Sequence, residues 1–99
     1  MITHIVFFKL FDRSPESQKR VRDRIMEMRG RIPVLKHLEA GADVIRSERA
    51  YDVALVAHFD DLAGLQTYIV HPVHQEFVAF IRPLRESTIA VDYESPAVA

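Results

Sequence analysis

The sequence predicts an α+β fold: one four-stranded antiparallel sheet with both helical segments on one face, in the element order βαββαβ. Three observations predict it. Strand-type and helix-type patterns of apolar residues follow one another in that order along the 99 residues. The second and third strands are separated by a short polar turn, which makes them antiparallel neighbours. The first and third strands are apolar on both sides, so the sheet has to be covered on both.

Residues 2–11, ITHIVFFKLF, are rich in β-branched and aromatic types and read as the first strand. Ser14-Pro15-Glu16 then marks a helix start. A serine oxygen can accept from free backbone N–H groups, proline is pre-set for the first turn, and glutamate suits the positive end of the helix dipole. Val21, Ile25 and Met28 fall at i, i+4 and i+7 and give that helix one buried stripe. Gly30 is a natural stop, and Ile32-Pro33 keeps the chain from continuing as helix.

Residues 35–45 read as the second strand, with a bulge or bend expected at Gly41. A polar turn, Arg46 to Ala50, leads into Tyr51–Phe59, YDVALVAHF, the third strand. Asp60 or Asp61 caps the second helical segment, with Leu62, Leu65 and Ile69 as its apolar stripe. Pro72 interrupts this segment, which restarts through Val73, Phe77, Phe80 and Ile81 and ends before Pro83. Residues 87–94 form the last strand. The order is the ferredoxin-like split pattern.

Ninety-nine residues make one domain, residues 1–99, with its core in 2–94 and a short tail at 95–99. With 48% hydrophobic residues the chain is globular, and the apolar content is high for one small core. Alternate residues of the first strand point to opposite faces: Ile2, His4, Val6, Phe8 and Leu10 one way, Ile5, Phe7 and Phe11 the other. Two helices cannot cover both sides, so a second copy of the same sheet is the expected cover. The resulting homodimer would bury about 800 Å² per partner.

Charge excludes some functions. Thirteen basic against 14 acidic residues give a net charge of −1, which argues against nucleic acid as a partner. Lys19, Arg20, Arg22, Arg24, Arg29 and Arg31 crowd one segment, but Asp23 and Glu27 are interspersed, which reads as a solvated helix face rather than an anion site. No apolar run approaches the roughly 20 residues that span a bilayer. The start, Met1-Ile2-Thr3-His4, lacks the pattern of a signal peptide, and the absence of cysteine suits the reducing cytoplasm.

Chemistry concentrates in Tyr68-Ile69-Val70-His71-Pro72-Val73-His74. Tyr68, His71 and His74 are spaced by three, which puts them on one helical face except where Pro72 breaks it. A neutral imidazole can take a proton from an acidic C–H, and a phenol can hydrogen-bond the enolate oxygen. Asp92 could orient the His74 imidazole, either for catalysis or simply to pin helix to sheet. His4 and His58 lie in apolar strands and read as satisfied core residues, His4 also lining a pocket if it points inward. His71 and His74 offer two metal ligands with no acidic third nearby, so neither a metal nor another cofactor is expected.

Several of these segments resemble the stress-responsive A/B barrel (Dabb) family of dimeric α/β barrels. They are His4-Ile5-Val6-Phe7-Phe8-Lys9, Ile32-Pro33-Val34, Gly41, Tyr51-Asp52-Val53, Val91-Asp92-Tyr93 and, most specifically, Tyr68-x-x-His71-Pro72-x-His74. The resemblance covers residues 2–94 and implies a homodimer holding a small apolar or aromatic ligand, with His4, His71, Phe8 and Phe77 at the pocket. One plant branch of the family consists of polyketide cyclases, and related barrels include cofactor-free monooxygenases. By that likeness His74 would be a base, Tyr68 the oxyanion partner and Asp92 the orienting carboxylate, acting on an aromatic or β-keto substrate. Val53 stands near where the cyclase branch carries a further histidine.

Overall fold

A computed structural model describes residues 1–96. Its elements are β1 (Ile2–Leu10), α1 (Pro15–Met26), β2 (His37–Ala42), β3 (Val53–Phe59), α2 (Leu62–Val70), α3 (Pro72–Ile81) and β4 (Arg85–Glu94). The sheet order is β2-β3-β1-β4 with every neighbouring pair antiparallel, the ferredoxin-like βαββαβ arrangement. Residues 97–99 of the expected tail lie outside the described part. Ser95 is tied back to the sheet, its N–H donating to Met1 O at 2.8 Å.

The local signals place the helices. Ser14 caps α1, its Oγ accepting from Ser17 N–H, with Pro15 in the first turn. Val21, Ile25 and Met28 are all buried, each contributing on the order of 1.5–3 kcal/mol. Gly30 takes a φ of +79°, the left-handed geometry that ends the helical path at little cost for glycine. Asp61 caps α2, its carboxylate accepting from Gly64 N–H. Pro72 splits the second helical segment into α2 and α3.

Four local expectations need correction. Gly41 sits in an unbroken β2–β3 ladder opposite Ala54 and forms no bulge. The buried side of α2 is Gly64, Leu65 and Tyr68, while Leu62 and Ile69 are exposed, because the restart at Pro72 turns the segment. The connection between β2 and β3 is longer than the expected turn, since Asp52 leaves the ladder: its N–H donates to Phe8 O at 2.8 Å and its carboxylate accepts from Leu10 N–H at 2.8 Å. Arg46, at a φ of +62°, folds this loop back so that its guanidinium and that of Arg13 both reach the buried Asp52 carboxylate. The last strand starts earlier, at Arg85, through a register shift opposite Lys9 and Leu10.

The core lies between the helices and one sheet face, built from Ile2, Phe8 and Leu10 of β1, Leu55, Ala57 and Phe59 of β3, and Val21, Ile25, Leu65, Tyr68, Phe77 and Ile81 of the helices. The other face carries Ile5, Phe7, Val56, Ile89 and Val91 side by side in register. Phe7, Ile89 and Val91 are 40%, 49% and 62% exposed, so in a single protomer this apolar face meets water.

Candidate functional site

A cavity of about 200 Å³ lies between the helices and the β1–β3–β4 part of the sheet. Its floor is His4, Val6 and Phe8 of β1 with Leu55 of β3, and its roof is Tyr68, His74 and Phe77. The period-two alternation of β1 puts its even-numbered residues on this face, and the α2–α3 break aims Tyr68 and His74 at it together. Phe8 and Phe77 meet edge-to-face at 5.8 Å.

Tyr68 stands between two imidazoles. Its ring centre lies 4.3 Å from that of His74 and 5.9 Å from that of His4. Its hydroxyl is the one buried side-chain polar atom without a partner among the described residues. Such an orphan is costly unless another group meets it. Burial drives the Tyr68 phenol well above its ordinary range, so it stays protonated and acts as a hydrogen-bond donor.

The His74 ring is oriented by the backbone: Nδ1 lies 3.0 Å from Ile69 O. A carbonyl only accepts, so Nδ1 carries the proton and Nε2 holds the basic lone pair. Burial lowers the His74 pKa, the Ile69 carbonyl offsets part of that, and the nearby His4 lowers it further. His74 is therefore neutral at pH 7, the form a base needs.

The expected link between His74 and Asp92 is not formed. Asp92 Oδ1 instead bonds Nδ1 of His4. The register explains this: His4 and Asp92 are direct partners across β1 and β4 on one face, whereas His74 sits on α3 across the cavity. His4 thus gains the orienting carboxylate.

His71 is also displaced from its expected place. It is not on the cavity wall but caps α3, its Nδ1 accepting from Val73 N–H at 3.1 Å. The constraint is local, because a residue before proline takes extended backbone (φ −65°, ψ 138°), which suits a capping side chain. His58 is on the open face rather than in the core, its ring 4.9 Å from that of His37. Two polar cavity residues escape sequence reasoning, Arg85 and Thr88. Arg85 is placed by the register shift in β4, which composition and periodicity do not carry, and Thr88 by its regular pairing with Phe8.

A larger hollow of about 430 Å³ lies on the open face beside Phe7, Tyr51 and Ala54, but no imidazole lines it. Among the described residues no three His, Cys, Asp or Glu side chains are placed to hold a metal ion, and no helix is long and apolar enough to cross a membrane.

The split βαββαβ sheet with a phenol and two imidazoles lining its helix-side cavity defines a ferredoxin-like α+β domain. Within that class the chain belongs to the stress responsive A/B barrel (Dabb) family, whose model matches residues 2–95. It is 36% identical over 97 residues to an uncharacterized protein of Streptomyces coelicolor, covering 95% of this chain and 99% of the relative. It is 27% identical over 95 residues to olivetolic acid cyclase of Cannabis sativa, covering 93% and 94%. A solved structure from Thermobifida fusca, a dimeric ferredoxin-like protein of unknown function, is 32% identical with a TM-score of 0.81, covering 93% of this chain and 88% of that one.

Proposed function

We propose that the protein is a cytoplasmic homodimer that binds a small, largely apolar carbonyl compound in the cavity of each protomer and moves a proton at the carbon beside the carbonyl without a cofactor. The observation that carries this is the Tyr68 hydroxyl, buried without a partner on a ring that packs against two imidazoles. A ligand oxygen is the group it lacks, and an oxygen that gains negative charge is the one it would favour most.

The step runs as follows. Neutral His74 takes the proton from the carbon next to a ligand carbonyl, and the C–H electron pair moves into the C–C bond of the enolate. The enolate oxygen accepts a hydrogen bond from Tyr68. The His74 imidazolium then returns the proton to carbon, while His4, held by Asp92, presents its Nε2 lone pair to the same cavity as a second basic nitrogen. In a substrate with a second carbonyl the enolate carbon would attack it, closing a ring with the His74 imidazolium protonating the new alkoxide. The likeness to a plant cyclase points in that direction. A cavity of about 200 Å³ suits a compact molecule, since drug-sized sites run to roughly 300–1,000 Å³.

The dimer follows from the open face. Ile5, Phe7, Val56, Ile89 and Val91 form a contiguous apolar surface, which a symmetric second copy would cover, and the Thermobifida relative is dimeric.

The test is deuterium uptake at the α-carbons of 4-phenylbutan-2-one in D₂O, followed by proton NMR. Exchange above the buffer rate, reduced about 100-fold in His74→Gln, is the expected result. Binding of the ketone, visible as shifts of Tyr68 resonances, with no exchange above buffer would make the protein a carrier of small molecules and not an enzyme.

A further inference from the structure

We infer that the ligand of this cavity carries a carboxylate, held by Arg85 at the end remote from His4. This rests on the cavity being a ligand site as proposed above and names the substrate class it would take.

Arg85 is the one permanently charged side chain on the cavity wall, where its neighbours include Phe8, Phe77 and Ile81. It is half-buried, and its hydrogen bond is to a neutral group, Nη1 donating to Thr88 Oγ1 at 3.3 Å. Arg13 and Arg46, by contrast, both reach the Asp52 carboxylate, and Arg24 and Arg31 reach Glu27 and Glu76. No carboxylate among the described residues lies within ion-pair distance of Arg85. A guanidinium facing an apolar cavity with no fixed counter-charge is a site for an anion, and its planar fork fits the two oxygens of a carboxylate.

The backbone is arranged to put it there. Arg85 and Thr88 are three apart, which in a regular strand sends their side chains to opposite faces. The register shift pairs Lys9 with Ser87 but Leu10 with Arg85, leaving Glu86 as the extra residue. The bulge returns Arg85 to the face of Leu10 and Thr88, toward the cavity.

The register also sets the distance. Arg85 pairs with Leu10 and Asp92 pairs with His4, so the charge and the imidazoles lie at opposite ends of the cavity with Val6 and Phe8 between them. Six residues of β1 span about 20 Å, shortened by the reach of the arginine side chain. The ligand class is a keto acid: a carbonyl near Tyr68, an apolar middle and a terminal carboxylate.

The experiment compares 8-oxononanoate, whose long chain suits that separation, with 8-oxononanamide, measuring affinity by NMR titration and α-carbon deuterium exchange in D₂O on the wild-type protein, Arg85→Gln and Arg85→Lys. The wild type is expected to bind the acid about tenfold or more tightly than the amide. Arg85→Gln should bring the ratio to within about twofold, and Arg85→Lys, which keeps the charge, should restore part of it. Equal binding of acid and amide by the wild type, or failure of both to bind, overturns the carboxylate assignment. Exchange that is equal for both compounds and lost in His74→Gln would sink that assignment and leave the proton-transfer chemistry in place. Carboxylate-selective, Arg85-dependent binding with no exchange would do the reverse.

Discussion

His4 Nδ1 hydrogen-bonds the carboxylate of Asp92, 88 positions away in sequence and directly opposite in the β1–β4 ladder. A carboxylate accepts only, so His4 keeps its proton on Nδ1 and presents Nε2 as the free nitrogen. The imidazole is thus fixed in tautomer and orientation before any ligand arrives. Asp92→Asn should lower α-carbon exchange about tenfold or more, because the amide can turn its NH₂ toward the ring and favour the other tautomer. The check is the exchange rate together with the ¹⁵N shifts of His4; unchanged values for both would remove Asp92 from the site.

His74 couples stability to pH. Its pKa is lowered by burial, against an ordinary value of 6.5. Below pH 6.5 the unfolded chain takes up a proton that the folded chain resists, so stability should decline as pH falls from about 7 to 5. Replacing His74 by Gln removes this contribution, and the variant should lose less stability over that interval. Urea midpoints at several pH values measure it.

Asp52 holds the loop between β2 and β3. Burial alone would push its carboxyl up, but the Leu10 N–H and the guanidiniums of Arg13 and Arg46 outweigh that and hold it below its ordinary value of 3.8. Its stabilisation is therefore complete above about pH 4 and is lost as the pH falls through its lowered pKa. Asp52→Ala leaves both arginines, each about one-third exposed, without the carboxylate that gathers them. The expected loss is about 3 kcal/mol, the low end for breaking a buried pair because the arginines can reach water. Urea denaturation at pH 7 reads it directly, and a loss under about 1 kcal/mol would mean that Asp52 is dispensable.

Phe7 is central to the open face, between Ala54 of β3 and Ile89 of β4. Phe7→Glu puts a charge where the second copy should sit, and its desolvation would oppose pairing. Light scattering should give twice the protomer mass of 11.4 kDa for the wild type and the protomer mass for the variant. A wild-type protein that scatters as a folded protomer at micromolar concentration refutes the dimer.

Much of the fold was legible in the sequence because its signals are local. Ser14 and Asp61 cap helices through N–H groups three residues on, Pro72 breaks a helix where it stands, and Gly30 meets a left-handed turn within its own backbone. The apolar content of both sides of β1 likewise appears as a period of two. These features depend on neighbours in the chain, and the chain order states them.

The site was legible only in its membership. Tyr68, His74, His4, Phe8 and Phe77 do meet around one cavity, but His71 was spent on a cap and Asp92 went to His4. Which carboxylate meets which imidazole depends on the register between β1 and β4, and a shift of one residue sends a side chain to the other face. The bulge opposite Lys9 and Leu10 is such a shift, and it alone brings Arg85 to the cavity. Sequence determined which elements form and which faces are apolar, because those follow from nearest neighbours. Tertiary structure decided the partners, because long-range strand pairing is settled by packing of the whole sheet and no local pattern encodes it.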